Sequence, residues 1–409
     1  MKKLLVILFV ICLFACDARD DRHIVEDGIS KIMLVSDLHY LSSDLYDNGE
    51  KFNAYMATSD AKLTKYSDVL VDGIIDTVLD ENADVLIISG DLTFNGEKLS
   101  HEQLSKRLAY LQDRGVDVLI IPGNHDINNM FAYKFEKDNI YYTDNVNEED
   151  FKTIYASLGY QNALYYDDNS YSYVYELDDE HWLLFVDVNS YSQNRVLTST
   201  LDWVKEVLEK AKADDIKVIG ITHQNVLGHS DQFGFDYIIQ NGYALNNLYK
   251  EYGVKLNLSG HMHIQHYTNN KYVYDVATNA ISVYPNLYAI ITFDNGFINY
   301  DTYGLDISDF NYEGYDDFRA YSQDYFDQVT YRSFDKRYNI FEDEDELDMA
   351  LDFYYELNRS FFGGDIIDNY DKLIGSDGYK LFEKYQLTNA RLDDMLNVKY
   401  NYQHLILEE

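Results

Sequence analysis

The chain has 409 residues, enough for one large or two ordinary domains. Its 46% hydrophobic content supports a packed core and excludes a disordered chain. With 71 acidic against 33 basic residues and a formal charge of −38, its surface repels polyanions, which argues against nucleic-acid polymers and anionic membrane faces as partners.

Lys2 and Lys3 precede the apolar run Leu4 to Ala15, which has the proportions of a signal peptide (residues 1–15) and is too short to span a bilayer. Leu13-Phe14-Ala15-Cys16 resembles a bacterial lipobox, which implies lipid attachment at Cys16. Phe14 is bulky for that position, so an ordinary signal peptide is the alternative. The expectation is an exported protein, lipid-anchored to the cell membrane on its extracytoplasmic face. Both cysteines, Cys12 and Cys16, lie in this segment, which leaves no disulfide for the folded part. Residues 16–28 read as a polar tether.

The first strand is the apolar run from Ile32, which ends abruptly at Ser36-Asp37-Leu38-His39. A polar stretch, Leu41 to Thr58, follows it, and Leu63 to Leu79 then shows helical periodicity. Val85 to Ile88 is a second strand, ending at Gly90-Asp91. A helix marked by Leu99, Leu104, Leu108 and Leu111 stops at Gly115. Val116 to Ile121 is a third strand, ending at Gly123-Asn124-His125-Asp126. This β-α-β-α-β order predicts a layered α/β sheet with covering helices. Residues 130–166 read mostly as helix and loop.

Tyr171, Tyr173 and Tyr175 alternate as a half-buried strand would, and Trp182 to Val186 is a second one. A helix over Leu201 to Ala211 leads to the strand Ile216 to Ile221, which ends at Thr222-His223. A helix over Tyr243 to Tyr252 leads to Val254 to Leu258, which ends at Gly260-His261-Met262-His263. Strands over Tyr272 to Val276, Leu287 to Phe293 and Phe297 to Tyr303 complete a domain over residues 29–305. Beyond the linker Gly304 to Gly314 the periodicity is helical, which predicts an all-α C-terminal domain over residues 306–409.

Singly, the five polar runs are weak signals, since Asp-x-His and Gly-Asp pairs are common. Together, each at the carboxyl end of a strand, they deliver three Asp, one Asn and five His to one rim. Mixed imidazole and carboxylate ligands suit Mn, Fe, Zn or Co better than Ca or Mg. The chemistry expected is that of a dinuclear metal site.

The order and residues of the five runs resemble the calcineurin-like metallophosphoesterases over about residues 30 to 300. The resemblance implies a layered β-sandwich flanked by helices and two divalent or mixed-valence transition metals. It implies that Asp37, His39 and His263 hold one ion, that Asn124, His223 and His261 hold the other, and that Asp91 bridges them. A water shared by the ions would lose a proton near neutral pH and attack phosphorus in line. His125 is expected to protonate the leaving oxygen or steady the phosphoryl group, with Asp126 orienting its ring; a helix N-cap is the alternative for Asp126. Thr93 and Asn95 are expected to shape the loop after Asp91, while Gln224 stands where many relatives carry a second His. His101 is expected to be solvated, and His229 and His266 to be surface histidines rather than partners of ligands.

Within the family, Gly90-Asp-Leu-Thr-Phe-Asn-Gly-Glu97, Ile121-Pro-Gly-Asn-His-Asp126 and Ser259-Gly-His-Met-His263 resemble the branch containing class III cyclic-nucleotide phosphodiesterases. The implied activity is a phosphodiesterase acting on a small-molecule phosphoester. An extracytoplasmic phosphomonoesterase or nucleotidase is the first alternative, since an exported protein faces away from intracellular nucleotides. An inactive surface binding protein on the same scaffold is the second.

Overall fold

Residues with both faces covered read as unbroken apolar runs, and Ile32–Val35 and Val85–Ile88 are such runs. In the computed structural model, which describes residues 30–409 apart from 59, 60, 232, 309 and 339, each of these four-residue strands is buried at every position. The signal peptide, Cys16 and the tether lie outside the described residues. A six-stranded sheet runs in the order His404–Glu408, Phe297–Gly304, Leu287–Asp294, Ile32–Val35, Val85–Ile88, Asp117–Ile120. Its last three strands are parallel, with Leu34 opposite Ile87 and Ile87 opposite Leu119. A seven-stranded sheet runs His266–Asn269, Tyr274–Ala277, Leu256–Ser259, Lys217–Ile221, His181–Phe185, Tyr173–Glu176, Tyr165–Tyr166.

The period-2 geometry of strands sorts the core into layers. Ile32, Leu34 and Ile87 turn inward and share one cluster with Leu183, Phe185, Ile219 and Leu258 of the other sheet. Met33, Val35, Leu86 and Ile88 turn outward onto Leu70, Ile74, Leu104 and Leu108 of the helices Ser67–Asp80 and Lys98–Gln112. Leu184 and Val186 meet helices Thr198–Ala213 and Gly242–Tyr252 through Val204, Leu208 and Leu245. The result is helices on two sheets packed face to face, the sandwich that the resemblance implied.

Residues 306–409 are largely helical, with helices Phe318–Tyr338, Glu344–Gly363, Ile366–Gly375, Asp377–Lys384 and Ala390–Leu396. The expectation of an all-α C-terminal region needs correction at its end. His404–Glu408 returns to the first sheet and pairs antiparallel with Phe297–Gly304, burying Leu405 and Leu407 on the inner face. Residues 130–166 also differ from the expected helix and loop, for they contain a hairpin of Tyr133–Glu136 and Asn139–Tyr142. No helix among the described residues is long and apolar enough to cross a membrane.

The helical region is joined to the rim at one informative place. Met262 and Ile264, which alternate with His261 and His263, pack with Phe334, Leu357 and Phe361. Gln265 N donates to the carbonyl of Phe362 (2.9 Å), and its side-chain amide donates to the carbonyl of Tyr402 (2.8 Å).

Candidate metal centre

The rim is built from backbone that strands cannot supply. Asp37, His39, Asp91, His261 and His263 all have positive φ, from 47° to 66°. Each such non-glycine residue costs on the order of 1 kcal/mol or more, and strain of this kind persists where a site over-determines it. Here neighbouring loops hold it in place: Asp37 N donates to Gly90 O (3.1 Å) and His39 N to Asp91 O (3.0 Å). Glycines allow the loops to close. A Cβ on Gly123 would stand 2.2 Å from the Asp91 carboxylate, and one on Gly260 would stand 1.7 Å from Ser36 Oγ.

Two groups of donor atoms result, one being Asp37, His39, Asp91 and His263, the other Asp91, His223 and His261. In the first, His39 Nε2 lies 3.2 Å from His263 Nε2 and 3.8 Å from Asp91 Oδ2, while His263 Nε2 lies 3.4 Å from Asp37 Oδ1. In the second, His223 Nε2 lies 3.3 Å from Asp91 Oδ2 and 3.2 Å from Asn124 Oδ1. Donors about 2.0–2.2 Å from a shared ion stand roughly 3–3.5 Å apart, so these separations are edges of coordination shells. Asp91 Oδ2 faces both groups, which is the position of a bridge.

The hydrogen bonds behind the donors leave the right lone pairs forward. His223 Nδ1 donates to the Ser89 carbonyl (2.8 Å), which directs Nε2 at the site. His261 Nε2 donates to the Asp236 carbonyl (3.1 Å), which leaves Nδ1 as its ligand atom. Asp37 Oδ2 accepts from Ser36 Oγ (2.6 Å) and His261 N (2.9 Å), whereas its buried Oδ1 has no hydrogen-bond partner among the described residues. An orphaned carboxylate oxygen facing two imidazoles fits a cation.

Electrostatics supports the same fit. Burial pushes the Asp91 carboxyl up, but His223 and His125 outweigh it and hold the group well below the usual carboxylate range. Burial likewise opposes a charge on His223, yet the Asp91 and Asp37 carboxylates lift it to about 9. Burial and the neighbouring His223 charge press His261 down to about 4. Two buried carboxylates thus favour positive charge at His223, charge that a divalent ion would supply in its place.

Residues 30–265 match the calcineurin-like phosphoesterase family. The chain belongs to that family. The phosphoesterase fold is similar to that of a dimetal phosphatase from Danio rerio, with a TM-score of 0.50 at 14% identity, covering 68% of this chain and 97% of that one. Two curated relatives, from Vesicomyosocius okutanii and Ruthia magnifica, are each named "Probable cyclic nucleotide phosphodiesterase". They are 42% and 40% identical over 65 residues, 16% of this chain, and the match spans only 27% and 26% of their own lengths. Both donor groups lie within the stretch that matches the family.

Around this phosphoesterase centre the geometry amends several expectations. His125 Nε2 lies 4.0 Å from Asp91 Oδ2, beside the donors, and its Nδ1 donates to the carbonyl of Phe94 (2.8 Å) and sits 3.0 Å from Asn95 Oδ1. Phe94 and Asn95, not Asp126, orient the ring. The Asp126 carboxylate instead accepts from Leu92 N (3.1 Å), Thr93 N (2.9 Å), Thr93 Oγ1 (3.0 Å) and Gly123 N (2.8 Å). It staples the Asp91 loop to the Asn124 loop, and since a turn rather than a helix follows, it caps no helix.

His101 is buried, not solvated, and bonds Thr93 Oγ1, the Asp126 carbonyl and Tyr155 Oη. His266 is buried too, as is the ring of His229, the two 3.0 Å apart, with His229 3.5 Å from Asp275 Oδ2. Gln224 donates to Asn124 Oδ1 (3.3 Å), so it positions that ligand. Lys62 went unread in the sequence, where Ala61-Lys62-Leu63 carries no motif; it is 7% exposed. Burial first, then the Lys62 charge, keeps His39 well below the ordinary imidazole range.

Proposed function

We propose that the phosphoesterase is a phosphodiesterase of the cyclic-nucleotide-phosphodiesterase-like kind, dependent on two ions drawn from Mn, Fe, Zn and Co. The observation that carries the hydrolase is the pair of donor clusters sharing Asp91 Oδ2. Asp37, His39 and His263 would hold one ion, and Asn124, His223 and His261 the other. Two such ions supply, when bound, a water acidic enough to react near neutral pH and positive charge for the phosphoryl oxygens. Preference for diesters is supported by the short likeness to two relatives of that name.

The chain's own residues then supply orientation and a proton. With Nδ1–H fixed on the Phe94 carbonyl, a second proton taken up by the His125 ring would stand on Nε2, 4.0 Å from Asp91 Oδ2 and beside the donor clusters, where a leaving oxygen would accept it. Asp91 Oδ1 accepts from His125 N (2.9 Å), which fixes that backbone to the bridging carboxylate. Export by the Lys2 to Ala15 segment and lipid anchoring at Cys16 complete the proposal. They favour, as the second reading, an extracytoplasmic phosphomonoesterase.

Turnover of bis-p-nitrophenyl phosphate against p-nitrophenyl phosphate with added Mn²⁺ tests the reading. Faster cleavage of the diester is expected, and faster cleavage of the monoester would establish the second reading. No turnover of either, in protein carrying both ions, would leave a binding protein. Membrane fractionation of Cys16→Ser tests the anchor; retention in the membrane fraction would contradict it.

A further inference from the structure

Away from the rim, two histidines meet where a loop, a strand and the C-terminal segment come together. His229 lies in the loop that follows Thr222-His223, and His266 opens the strand His266–Asn269 shortly after His263. Their Nδ1 atoms are 3.0 Å apart. The side chain of His229 is fully buried. His266 is buried as well, against the ring of Tyr402, with centroids 3.9 Å apart.

The surroundings prepare both rings for a cation. His229 Nε2 faces the buried Asp275 carboxylate, 3.5 Å from Oδ2, which favours a proton on Nε2 and leaves the lone pair on Nδ1. Asp275 is itself fixed by Leu227 N (2.8 Å), Asn257 Nδ2 (2.9 Å) and Ser259 Oγ (3.2 Å). Burial, and then the neighbouring His229, keeps His266 well below the ordinary imidazole range, so this ring is neutral at neutral pH, as a metal ligand must be. Nitrogens about 2.0–2.1 Å from a shared ion, at close to a right angle, stand roughly 3 Å apart. Both rings line a cleft of about 700 Å³ with room for water on the other positions of an ion. Its wall holds two carboxylates, Asp231 and Asp394, against one ammonium among the described residues, Lys399. Ser230 Oγ bonds Asp394, which fixes that carboxylate beside His229.

We infer that His229 and His266 bind a further divalent transition ion, of the zinc, copper or nickel kind that imidazole suits, at a site separate from the rim. Its place gives it a task. The loop of His229 also carries Asp236, whose carbonyl accepts from His261 Nε2 (3.1 Å), and Tyr237, whose ring lies 5.2 Å from that of His261. An ion held by both rings ties this loop to the strand that leads away from His263, and so steadies His261 and His263 from behind.

Crystals of the full chain grown with Zn²⁺, with anomalous data collected on both sides of the zinc edge, test the site in the unaltered protein. A peak about 2.0–2.1 Å from both Nδ1 atoms is expected. A filled rim with no peak between the two rings overturns the site and leaves the pair as a hydrogen bond from one imidazole to the other. A peak between the rings beside an empty rim keeps the site and removes the dinuclear centre instead. In solution, wild type, His229→Ala and His266→Ala are dialysed side by side against micromolar Zn²⁺ and counted by elemental analysis. Each variant should hold one ion fewer per chain than wild type, and an unchanged count in both overturns the site.

Discussion

His125 carries the sharpest residue-scale consequence of the geometry. Its ring is steered by the Phe94 carbonyl and Asn95, and it sits beside the donor clusters without belonging to either. His125→Ala should lower kcat by about 10²–10⁴-fold, the range of a lost general acid, and leave both ions bound. Elemental analysis of the variant checks this, and loss of an ion along with activity would contradict it. Glu97 makes a second prediction. Burial pushes its carboxyl from 4.5 up to about 7, so the folded chain keeps a proton that the unfolded chain releases. Stability from this group is therefore full below about 4.5 and is lost as pH rises through about 7. In metal-free protein, the gap in unfolding free energy between wild type and Glu97→Gln should shift by about 3 kcal/mol between acid and pH 8, against the wild type at the higher pH. Urea titrations at several pH values measure it, and a pH-independent gap would refute it. Residue types at the rim were legible because the chemistry needs them at strand ends. Orientation was not: nothing in the string tells that Asp126 faces four backbone and hydroxyl donors instead of His125, or that His101 is buried.

At the scale of elements, the alternation His261-Met262-His263-Ile264 explains what the helical region does for the rim. The imidazoles face the ions' positions, and the apolar side chains lock into Phe334, Leu357 and Phe361. Met262→Ala should open a gap behind both ligands and weaken metal affinity by about 10–100-fold, as loss of supporting contacts does at other metal sites. Competition with a chelating dye checks it, and an unchanged affinity would show that the helices serve another purpose. The parallel strands were readable because burial on both faces leaves only apolar residues. The hairpin Tyr133–Glu136 with Asn139–Tyr142 was not, since four-residue strands with one exposed partner carry little periodic signal. The strand His404–Glu408 escaped for a related reason. Leu405 and Leu407 alternate correctly with exposed neighbours, but five residues after a helical region give no hint of a partner strand a hundred positions earlier.

For the whole molecule, the long-range pairing of the chain brings ligands from Asp37 to His263 onto one rim through two sheets packed face to face. Composition spoke correctly to a large packed core, while the strong negative charge remains a statement about the surface. Buried Asp37 and Asp91 are a local charge problem that surface lysines and arginines cannot solve, and the proposed pair of cations at the rim would solve it. The most direct measurement of that claim is an anomalous-scattering crystal structure of the Mn²⁺-loaded protein. Two peaks should appear on either side of Asp91 Oδ2, about 3.5–4 Å apart, one ringed by Asp37, His39 and His263 and the other by Asn124, His223 and His261. A single peak, or peaks that leave Asp91 without a metal contact, would contradict the dinuclear centre.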